Sequence, residues 1–171
     1  VAVFASKEHV EPKLAPFLAD ASIGAVNGPQ LVVLSGKPEA VNSVVKQLEA
    51  EKIKSKQLVV SDAFHSPLME PMLMMYGMVA NMVTYSEPNC TLISCVTGTV
   101  AGPDTVTTGD YWRDHVRGAV RFADGVATVT QVRPTVTAAS FKVARSSGGN
   151  LVEIVGSRFR TDRSARRLDH R

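Results

Sequence analysis

Long apolar runs, cysteines and aromatic residues are all scarce in this sequence. No stretch reaches the roughly 18 consecutive apolar residues that a membrane-spanning helix needs, which excludes an integral membrane protein. Two cysteines, Cys90 and Cys95, are too few for a disulfide-stabilised scaffold. The first residues lack the charged and apolar regions of a secretory signal peptide. Together these absences predict a cytoplasmic protein whose thiols stay reduced.

Apolar residues are plentiful, by contrast, since 44% of the 171 residues are hydrophobic and 20% are charged. This balance suits one compact domain, or two small lobes of a larger one, with a buried core. The first residue is Val1 rather than Met, which predicts a chain that starts inside a longer protein.

The formal net charge of +3 is distributed unevenly along the chain. Residues 1–131 carry 10 basic and 13 acidic side chains, a net charge of −3, whereas residues 132–171 carry 9 basic and 3 acidic ones, a net charge of +6. We interpret residues 132–171 as a basic, poorly ordered tail. Because the basic excess belongs to this tail, it does not indicate that the protein as a whole binds nucleic acid.

Residues 1–61 have the pattern of a small layered lobe. The predicted elements are a short apolar run at 1–5, a helix shortened or broken by prolines at 7–19, strands at 22–26 and 31–34, an amphipathic helix at 38–51 and a strand at 56–60. The order strand, helix, strand, strand, helix, strand predicts a ferredoxin-like βαββαβ subdomain, in which two helices cover one face of an antiparallel sheet.

A different pattern begins at residue 62. Residues 67–83 predict a methionine-rich helix, 89–96 a strand and 110–129 a second helix. These elements do not extend the first pattern, so we assign residues 62–131 to part of a larger α/β lobe. The fold class predicted for the chain is therefore α/β (α+β).

The methionines are concentrated in one helix, since all six lie between Met69 and Met82. Their helical spacing predicts a buried helix face, and the alternatives are a methionine-rich groove or a soft-metal site. In the last helix we expect Trp112 to pack into the lobe and the charged side chains of His115 and Arg117 to face solvent.

Metal and RNA binding both lack their sequence signals. There is no cluster of His and Cys at ligand spacing, so we expect no metal site. RNA-binding modules with the βαββαβ order stack bases on aromatic residues of their central strands. The predicted strands at 22–26, 31–34 and 56–60 hold no Phe, Tyr or Trp, so we expect no nucleic-acid partner.

The stretch from Ser61 to Met72 is the most informative for chemistry. It places His65 between a strand and a helix, where a side chain can reach a cleft while a sheet holds its backbone. An imidazole with an ordinary pKa near 6.5 can accept and return a proton at neutral pH. From spacing alone, a structural role for a single histidine remains the alternative.

Several motifs, in order, resemble the acyltransferase domain of modular polyketide synthases, a kind of acyl-CoA:acyl-carrier-protein transacylase. The resemblance extends from about residue 1 to about residue 126. Its motifs are Ala25-Val26-Asn27-Gly28-Pro29, Val32-Val33-Leu34-Ser35-Gly36, Ala63-Phe64-His65-Ser66-Pro67-Leu68-Met69-Glu70-Pro71-Met72, Val96-Thr97-Gly98, Asp110-Tyr111-Trp112-Arg113-Asp114-His115-Val116-Arg117 and Val120-Arg121-Phe122-Ala123-Asp124-Gly125-Val126.

The resemblance implies a ping-pong transfer of a malonyl-type unit from coenzyme A to the phosphopantetheine thiol of an acyl carrier protein. His65 would be the catalytic base, with Phe64, Asn27 and Ser66 as substrate-binding residues. Phe64 fills the volume that an α-methyl group would need, so the family pattern implies selectivity for malonyl. No bound cofactor is implied, and the partners would be the carrier protein and neighbouring synthase domains. Residues 62–131 would be the C-terminal remnant of an α/β-hydrolase-like lobe.

The sequence departs from the family pattern at the nucleophile. The family serine stands in a Gly-His-Ser-x-Gly elbow, and this sequence contains no Gly-x-Ser-x-Gly. Asp62 stands where histidine is commoner, and Cys95 where the family usually has asparagine. We therefore expect no turnover from this chain alone. The alternative function is a non-catalytic remnant that only binds a carrier protein or a neighbouring synthase domain.

Overall fold

The computed structural model of the chain describes residues 1–102 and 104–132. Apart from the backbone of Val132, the predicted tail at 132–171 lies outside the described residues.

A four-stranded antiparallel sheet organises the first part of the chain. Its strands lie in the spatial order β2-β3-β1-β4. The strands are β1 (Ala2–Val3), β2 (Ala21–Gly28), β3 (Leu31–Gly36) and β4 (Ser55–Lys56). A tight turn at Pro29 and Gln30 joins β2 to β3, as the Gly-Pro pair predicts.

Two helices pack on this sheet and form its core. Helix α1 (Lys7–Leu14) begins at Ser6, whose Oγ accepts a hydrogen bond from the His9 N–H, and α2 (Pro38–Ala50) begins directly at Pro38. Helix α1 is shorter than the predicted 7–19, because a short 3-10 turn takes over at Ala15. The fully or almost fully buried apolar side chains of this core are Val3, Val10, Leu14, Val32, Leu34, Val44 and Leu48. The element order matches the one that the sequence predicts.

The predicted strand at 56–60 is wrong beyond Lys56. In the β1–β4 ladder Val3 lies opposite Ser55 and Ala2 opposite Lys56, so Val1 falls opposite Gln57. Among the described residues no strand lies opposite residues 58–60, and Val59 and Val60 are 103% and 58% exposed. The residue types favour a strand, but a strand also needs a partner to accept its backbone hydrogen bonds.

Three helices make up most of the second part, namely α3 (Glu70–Asn81), α4 (Gly109–Arg117) and α5 (Phe122–Val132). Helices α3 and α4 meet closely at Gly109, where a Cβ atom would lie 2.5 Å from the Asn81 nitrogen. Only glycine fits this backbone-to-backbone contact. None of the described helices is long and apolar enough to cross a membrane.

The predicted strand at 89–96 is not formed. The region contains only isolated bridge residues, among them the pair Ile93 and Val100, and the chain turns at residues 95–97. The buried Ser94 Oγ accepts hydrogen bonds from the N–H groups of Val96 and Thr97, at 3.1 and 3.3 Å. This side-chain turn competes with strand formation in a segment that is apolar enough to suggest a strand.

The predicted helix at 110–129 is two helices, because the chain leaves α4 at Gly118 and joins the sheet. Val120 forms a parallel bridge with Ala25 at the free edge of β2. The Val26 N–H donates to the Val120 carbonyl at 2.8 Å, and the Val120 N–H donates to the Gly24 carbonyl at 2.9 Å. These two bonds attach the second part of the chain to the first.

The predicted burial of the methionine face is also wrong for the described residues. Exposure is 37% for Met72, 69% for Met75, 63% for Met78 and 84% for Met82, the methionines at helical spacing. The buried residues of α3 are Gly77 and Ala80, on the side that faces α4. Apolar periodicity predicted the helix correctly, but it does not determine whether another element covers the apolar face.

Candidate functional site

His65 lies where the C-terminal end of α4 meets the segment between β4 and α3. The His65 Nδ1 is 2.7 Å from the Gly118 carbonyl oxygen, and the His65 backbone N–H donates to the Val116 carbonyl at 3.0 Å. Carbonyl groups that have no partner within the helix collect at a helix C-terminus, which carries partial negative charge. The end of α4 is therefore suited to hold an imidazole and to stabilise it when it is protonated.

The hydrogen bond to Gly118 sets which ring nitrogen carries the proton. A carbonyl oxygen can only accept, so Nδ1 is the donor. In the neutral ring the lone pair then belongs to Nε2, which makes Nε2 the atom that can take a proton.

The pKa of His65 is lowered from its ordinary value. Burial is the main cause, and it outweighs the opposing effect of hydrogen bonds to the backbone carbonyls of Gly118 and His115. Burial disfavours the charged ring, whereas the carbonyls favour it. At neutral pH the ring is therefore neutral and able to act as a base, with two backbone groups ready to stabilise the cation.

The backbone of His65 is in a conformation that is unusual for any residue with a side chain. Its φ is +60°, in the left-handed region. Such a conformation costs on the order of 1–3 kcal/mol and is found mainly at functional sites, held by the surrounding structure. Two sheet hydroxyls hold this one: Ser22 Oγ donates to the His65 carbonyl and Ser35 Oγ to the Phe64 carbonyl, both at 2.6 Å.

These positioning residues carry no functional signal in the sequence. Gly24 also belongs to them, because a Cβ at this position would lie 3.0 Å from the Ser35 Cβ and 3.5 Å from the His65 Cβ. Ser35 belongs to the motif Val32-Val33-Leu34-Ser35-Gly36. In the sequence, however, nothing about Ser22, Gly24 or Ser35 indicates a contact with His65, which lies about 30 or more residues later in the chain. Only the sheet brings them together.

His115 is buried beside His65, so the expectation that it faces solvent is wrong. It is 7% exposed, and its ring centroid is 6.1 Å from that of His65 in an edge-to-face arrangement. Tyr111 and Trp112 pack on its other sides, with ring centroids at 5.9 and 6.0 Å. Burial, with a smaller contribution from the charge of His65, lowers the pKa of His115 to about 4.

Trp112 and Arg117 were expected to pack into the lobe and to face solvent, respectively. Trp112 is partly buried, and its Nε1–H donates to the Val106 carbonyl at 3.0 Å. Arg117 is partly exposed, and its guanidinium pairs with Glu70 at 2.6 Å, which ties the end of α4 to the start of α3.

Two of the three predicted substrate-binding residues, Phe64 and Ser66, are the chain neighbours of His65, and the third, Asn27, lies in β2. The Phe64 ring centroid is 6.4 Å from that of His65. Ser66 is fully buried, where its hydroxyl donates to the Ala63 carbonyl at 2.6 Å and accepts from the Leu68 N–H at 3.2 Å. These contacts give Ser66 a capping role, and substrate contact by Ser66 stays a prediction. Asn27 is exposed at the hairpin end of β2.

A cleft of about 1040 Å³ lies between α1, the edge of β2 and residues 118–124, and His65 is not among its lining residues. Its walls include Ser22 and Gly118, which both contact His65. Val26 and Gly28, the chain neighbours of Asn27, also line it. Among residues 1–102 and 104–132, no serine hydroxyl is hydrogen-bonded to the His65 ring, and no three potential ligands form a metal cluster.

Comparison with known proteins decides the family of this site. Residues 2–141 match the family model described as "Acyl transferase domain". The chain belongs to this acyltransferase family. Its relatives are polyketide synthases: the mycoketide-CoA synthase of Mycobacterium tuberculosis is 48% identical over 126 residues, and GfsA of Streptomyces halstedii is 42% identical over 132 residues.

Solved acyltransferase domains have the same fold as this acyltransferase chain. The domain from the second module of the salinomycin synthase is 42% identical, with a TM-score of 0.72 over 76% of this chain. The domain of SpnD in complex with 2-(pent-4-yn-1-yl)malonyl is 29% identical, with a TM-score of 0.71 over 76% of this chain.

The acyltransferase chain spans only a part of each of these proteins. It covers 30% and 31% of the two solved domains, although 76% of its own residues align with each. It covers 3% of the mycoketide-CoA synthase and 2% of GfsA. The aligned part is 74% and 77% of this chain, respectively. It is therefore a partial polyketide synthase acyltransferase domain.

Proposed function

We propose that this chain supplies the histidine half of an acyltransferase that moves a malonyl-type unit from coenzyme A to the phosphopantetheine thiol of an acyl carrier protein. Residues 1–61 would be its ferredoxin-like subdomain and residues 62–131 the C-terminal remnant of its hydrolase-like lobe. The observation that carries the proposal is the His65 ring, anchored through Nδ1 at the end of α4 with Nε2 left as the proton acceptor.

In the first half-reaction His65 acts as a general base. A serine hydroxyl, supplied from outside the described residues, attacks the thioester carbonyl of malonyl-CoA while Nε2 takes the hydroxyl proton. The tetrahedral intermediate then loses the coenzyme A thiolate, which receives this proton from the imidazolium. The products are a malonyl-serine ester and free coenzyme A.

The second half-reaction runs the same proton transfers with a new nucleophile. His65 takes the proton of the pantetheine thiol as its sulfur attacks the malonyl-serine ester, and returns it to the serine oxygen as the ester bond breaks. The carrier protein leaves as its malonyl thioester, and His65 is again neutral.

The end of α4 would take the role that an aspartate has in a Ser-His-Asp triad. An aspartate fixes the tautomer of the histidine and stabilises the imidazolium. Here the Gly118 carbonyl accepts from Nδ1 at 2.7 Å, and the backbone carbonyls of Gly118 and His115 favour the protonated ring. No metal or bound cofactor takes part in the proposed reaction.

The remaining partners are proposed to bind at the cleft. Coenzyme A or the pantetheine arm would enter along the 1040 Å³ cleft, which is lined by Ser22 and Gly118, two residues that contact His65. Asn27 would lie at its entrance. The carrier protein and neighbouring synthase domains are the proposed partners, in the cytoplasm.

Detection of a malonyl-enzyme adduct tests this function. A natural form of the protein that includes the rest of the domain is mixed with malonyl-CoA, and its intact mass is measured after seconds. We expect a gain of one malonyl group on serine, which disappears when carrier protein is added. Absence of the adduct would favour the alternative, a remnant that only binds a carrier protein or synthase domain.

Phe64 is expected to set the preference for malonyl over methylmalonyl. Replacing it with alanine opens the volume that the extra methyl group needs, so Phe64→Ala should shift the ratio of the two kcat/KM values towards methylmalonyl by about 10- to 100-fold, the range for a methyl-sized group. The check is competition between the two coenzyme A thioesters. Phe4→Ala, at an exposed ring in the sheet region, is the control and should leave the ratio unchanged.

A further inference from the structure

Two serine hydroxyls lie side by side on the sheet, next to the segment that carries His65. Ser22 of β2 is directly opposite Ser35 of β3 in the strand register, so their side chains stand on the same face of the sheet. The chain neighbour of Ser35, Leu34, points into the core that α1 and α2 cover, and successive side chains of a strand alternate between faces. The two hydroxyls are therefore a pair of donors on the face that α1 and α2 leave open.

Each hydroxyl donates to a different carbonyl of the segment. Ser35 Oγ donates to the Phe64 carbonyl at 2.6 Å. Ser22 Oγ donates to the His65 carbonyl, also at 2.6 Å. From the direction of α4, the Val116 carbonyl accepts from the His65 N–H at 3.0 Å. The peptide group that joins Phe64 to His65 is thus held at both ends, and the peptide group after His65 is held by β2.

Peptide groups held on both sides of a residue determine its backbone conformation. Each peptide group is planar, so fixing the planes before and after His65 sets its φ and ψ and with them the direction of its side chain. Its φ of +60° is costly for a residue with a Cβ atom and persists only where the surroundings impose it. The two hydroxyls impose it from the sheet.

Gly24 lets the segment lie this close to the sheet. A Cβ atom at this position would be 3.0 Å from the Ser35 Cβ, 3.5 Å from the His65 Cβ and 3.7 Å from the Phe64 carbonyl oxygen. A side chain there would press against the serine and the segment together. The glycine therefore leaves room for the short hydrogen bond between Ser35 and Phe64.

We propose that Ser22 and Ser35 are positioning residues with separate tasks: Ser35 fixes Phe64 and thereby the choice between malonyl and methylmalonyl, and Ser22 fixes His65 and thereby the rate of transfer. This rests on the proposed function, in which the Phe64 ring limits the volume for the acyl group and His65 is the base.

The two tasks are separate because the hydroxyls hold different atoms of the chain. The Phe64 carbonyl carbon is bonded to the Phe64 Cα, so loss of the Ser35 hydroxyl allows the phenyl ring to shift. In that case His65 keeps its bonds to Val116 and Ser22. Loss of the Ser22 hydroxyl leaves the Phe64 carbonyl in place and frees the peptide group after His65, which lets the backbone leave the left-handed region.

Single replacements in the complete domain test the rate and the selectivity separately. Ser22→Ala should lower the maximal single-turnover rate of malonyl-enzyme formation by about 10- to 100-fold, since a displacement of about 1 Å can cost roughly 10² in rate. The half-saturating malonyl-CoA concentration and the extender-unit ratio should stay within about twofold. Ser35→Ala should shift the ratio of kcat/KM values towards methylmalonyl by about three- to tenfold, a part of what removal of the ring gives. Ser35→Thr, which keeps a hydroxyl, should restore the ratio.

Carbonyl NMR reports the two contacts without any turnover. Phe64–His65 is the only Phe-His pair in the sequence, and His65–Ser66 is the only His-Ser pair. Carbon-13 on the first carbonyl and nitrogen-15 on the next amide therefore select each carbonyl, and the signals are assigned by their loss in Phe64→Ala and His65→Asn. A carbonyl carbon resonates at lower frequency when it loses a hydrogen bond. We expect Ser35→Ala to shift only the Phe64 signal in this way, and Ser22→Ala only the His65 signal.

Ser43→Ala is the matched control, because the Ser43 hydroxyl also donates to a carbonyl, that of Glu39 at 2.7 Å, but within α2. It should keep the rate and the ratio within about twofold. An unchanged ratio in Ser35→Ala, or a ratio that Ser22→Ala shifts equally, would overturn the proposal while malonyl-enzyme formation leaves the proposed function standing. If the unmodified domain forms no malonyl adduct, the proposed function fails and the two tasks fail with it, whereas the carbonyl shifts would still establish the contacts.

Discussion

Replacing His65 with asparagine should lower the rate of malonyl transfer by about 10²- to 10⁴-fold in the complete domain, the usual contribution of a general base. Asparagine tolerates the left-handed backbone conformation found here, with φ at +60°, and keeps an N–H near the Gly118 carbonyl. The variant therefore removes Nε2 while preserving the fold. The measurement is the single-turnover rate of malonyl-enzyme formation.

The matched control for this experiment is His9→Asn. His9 is an exposed histidine of α1 that pairs with Glu51 at 2.6 Å and does not line the cleft. It should keep the rate within about twofold. If His65→Asn forms the adduct as fast as the unmodified domain and has the same thermal stability, His65 is not the base.

Acidification should destabilise the folded chain through His115. Its pKa is about 4 in the folded state against an ordinary 6.5, so between these values the unfolded state binds a proton that the folded state does not. The contribution of neutral His115 to stability is complete above pH 6.5 and is lost as the pH falls towards 4. Between pH 7 and pH 5 this loss lowers the free energy of unfolding by roughly 2 kcal/mol. The lowered pKa of His65 acts in the same direction.

Urea unfolding at pH 7 and pH 5 measures this effect. We expect the free energy of unfolding to fall between the two pH values, and the fall to shrink in His115→Gln, which cannot bind a proton. The fall should persist in His9→Gln, at an exposed position. Equal stability of the unmodified chain at both pH values would contradict the burial of a neutral His115.

Elements that are stabilised by residues close in the sequence could be predicted from local sequence patterns. Helix α2 was predicted at 38–51 and found at Pro38–Ala50, because Pro38 marks its start and an apolar stripe marks its inner face. The β2–β3 hairpin followed from its turn residues. His65 was predicted as the base from the motif around it, and this role stays a prediction.

The errors all concern contacts between distant segments. Residues 58–60 have the composition of a strand but no strand opposite them, and the methionines of α3 have helical spacing but no covering layer among the described residues. The predicted helix at 110–129 ends at Gly118 because Val120 bonds to β2. In each of these three predictions, the segment that would pair or pack with the element is distant in the sequence, so the local pattern does not reveal it.

The site shows the same division. The sequence predicts His65 as the base, but the groups that hold this residue are backbone carbonyls of α4 and the hydroxyls of Ser22 and Ser35. Backbone carbonyls occur at every residue, so no residue type signals them. His115 was expected in solvent because a histidine between charged neighbours resembles a surface residue, whereas the helix turns it inward against His65.

The tautomer of His65 is the most direct test of the central claim, that the end of α4 holds this ring with Nε2 ready to accept a proton. Nitrogen-15 NMR of the imidazole, recorded through a pH titration with His65→Asn for assignment, reports both the protonated nitrogen and the pKa. The expected result is a neutral ring with its proton on Nδ1 and a pKa below 6.5. A proton on Nε2 in the neutral ring, or a pKa at or above 6.5, would contradict it.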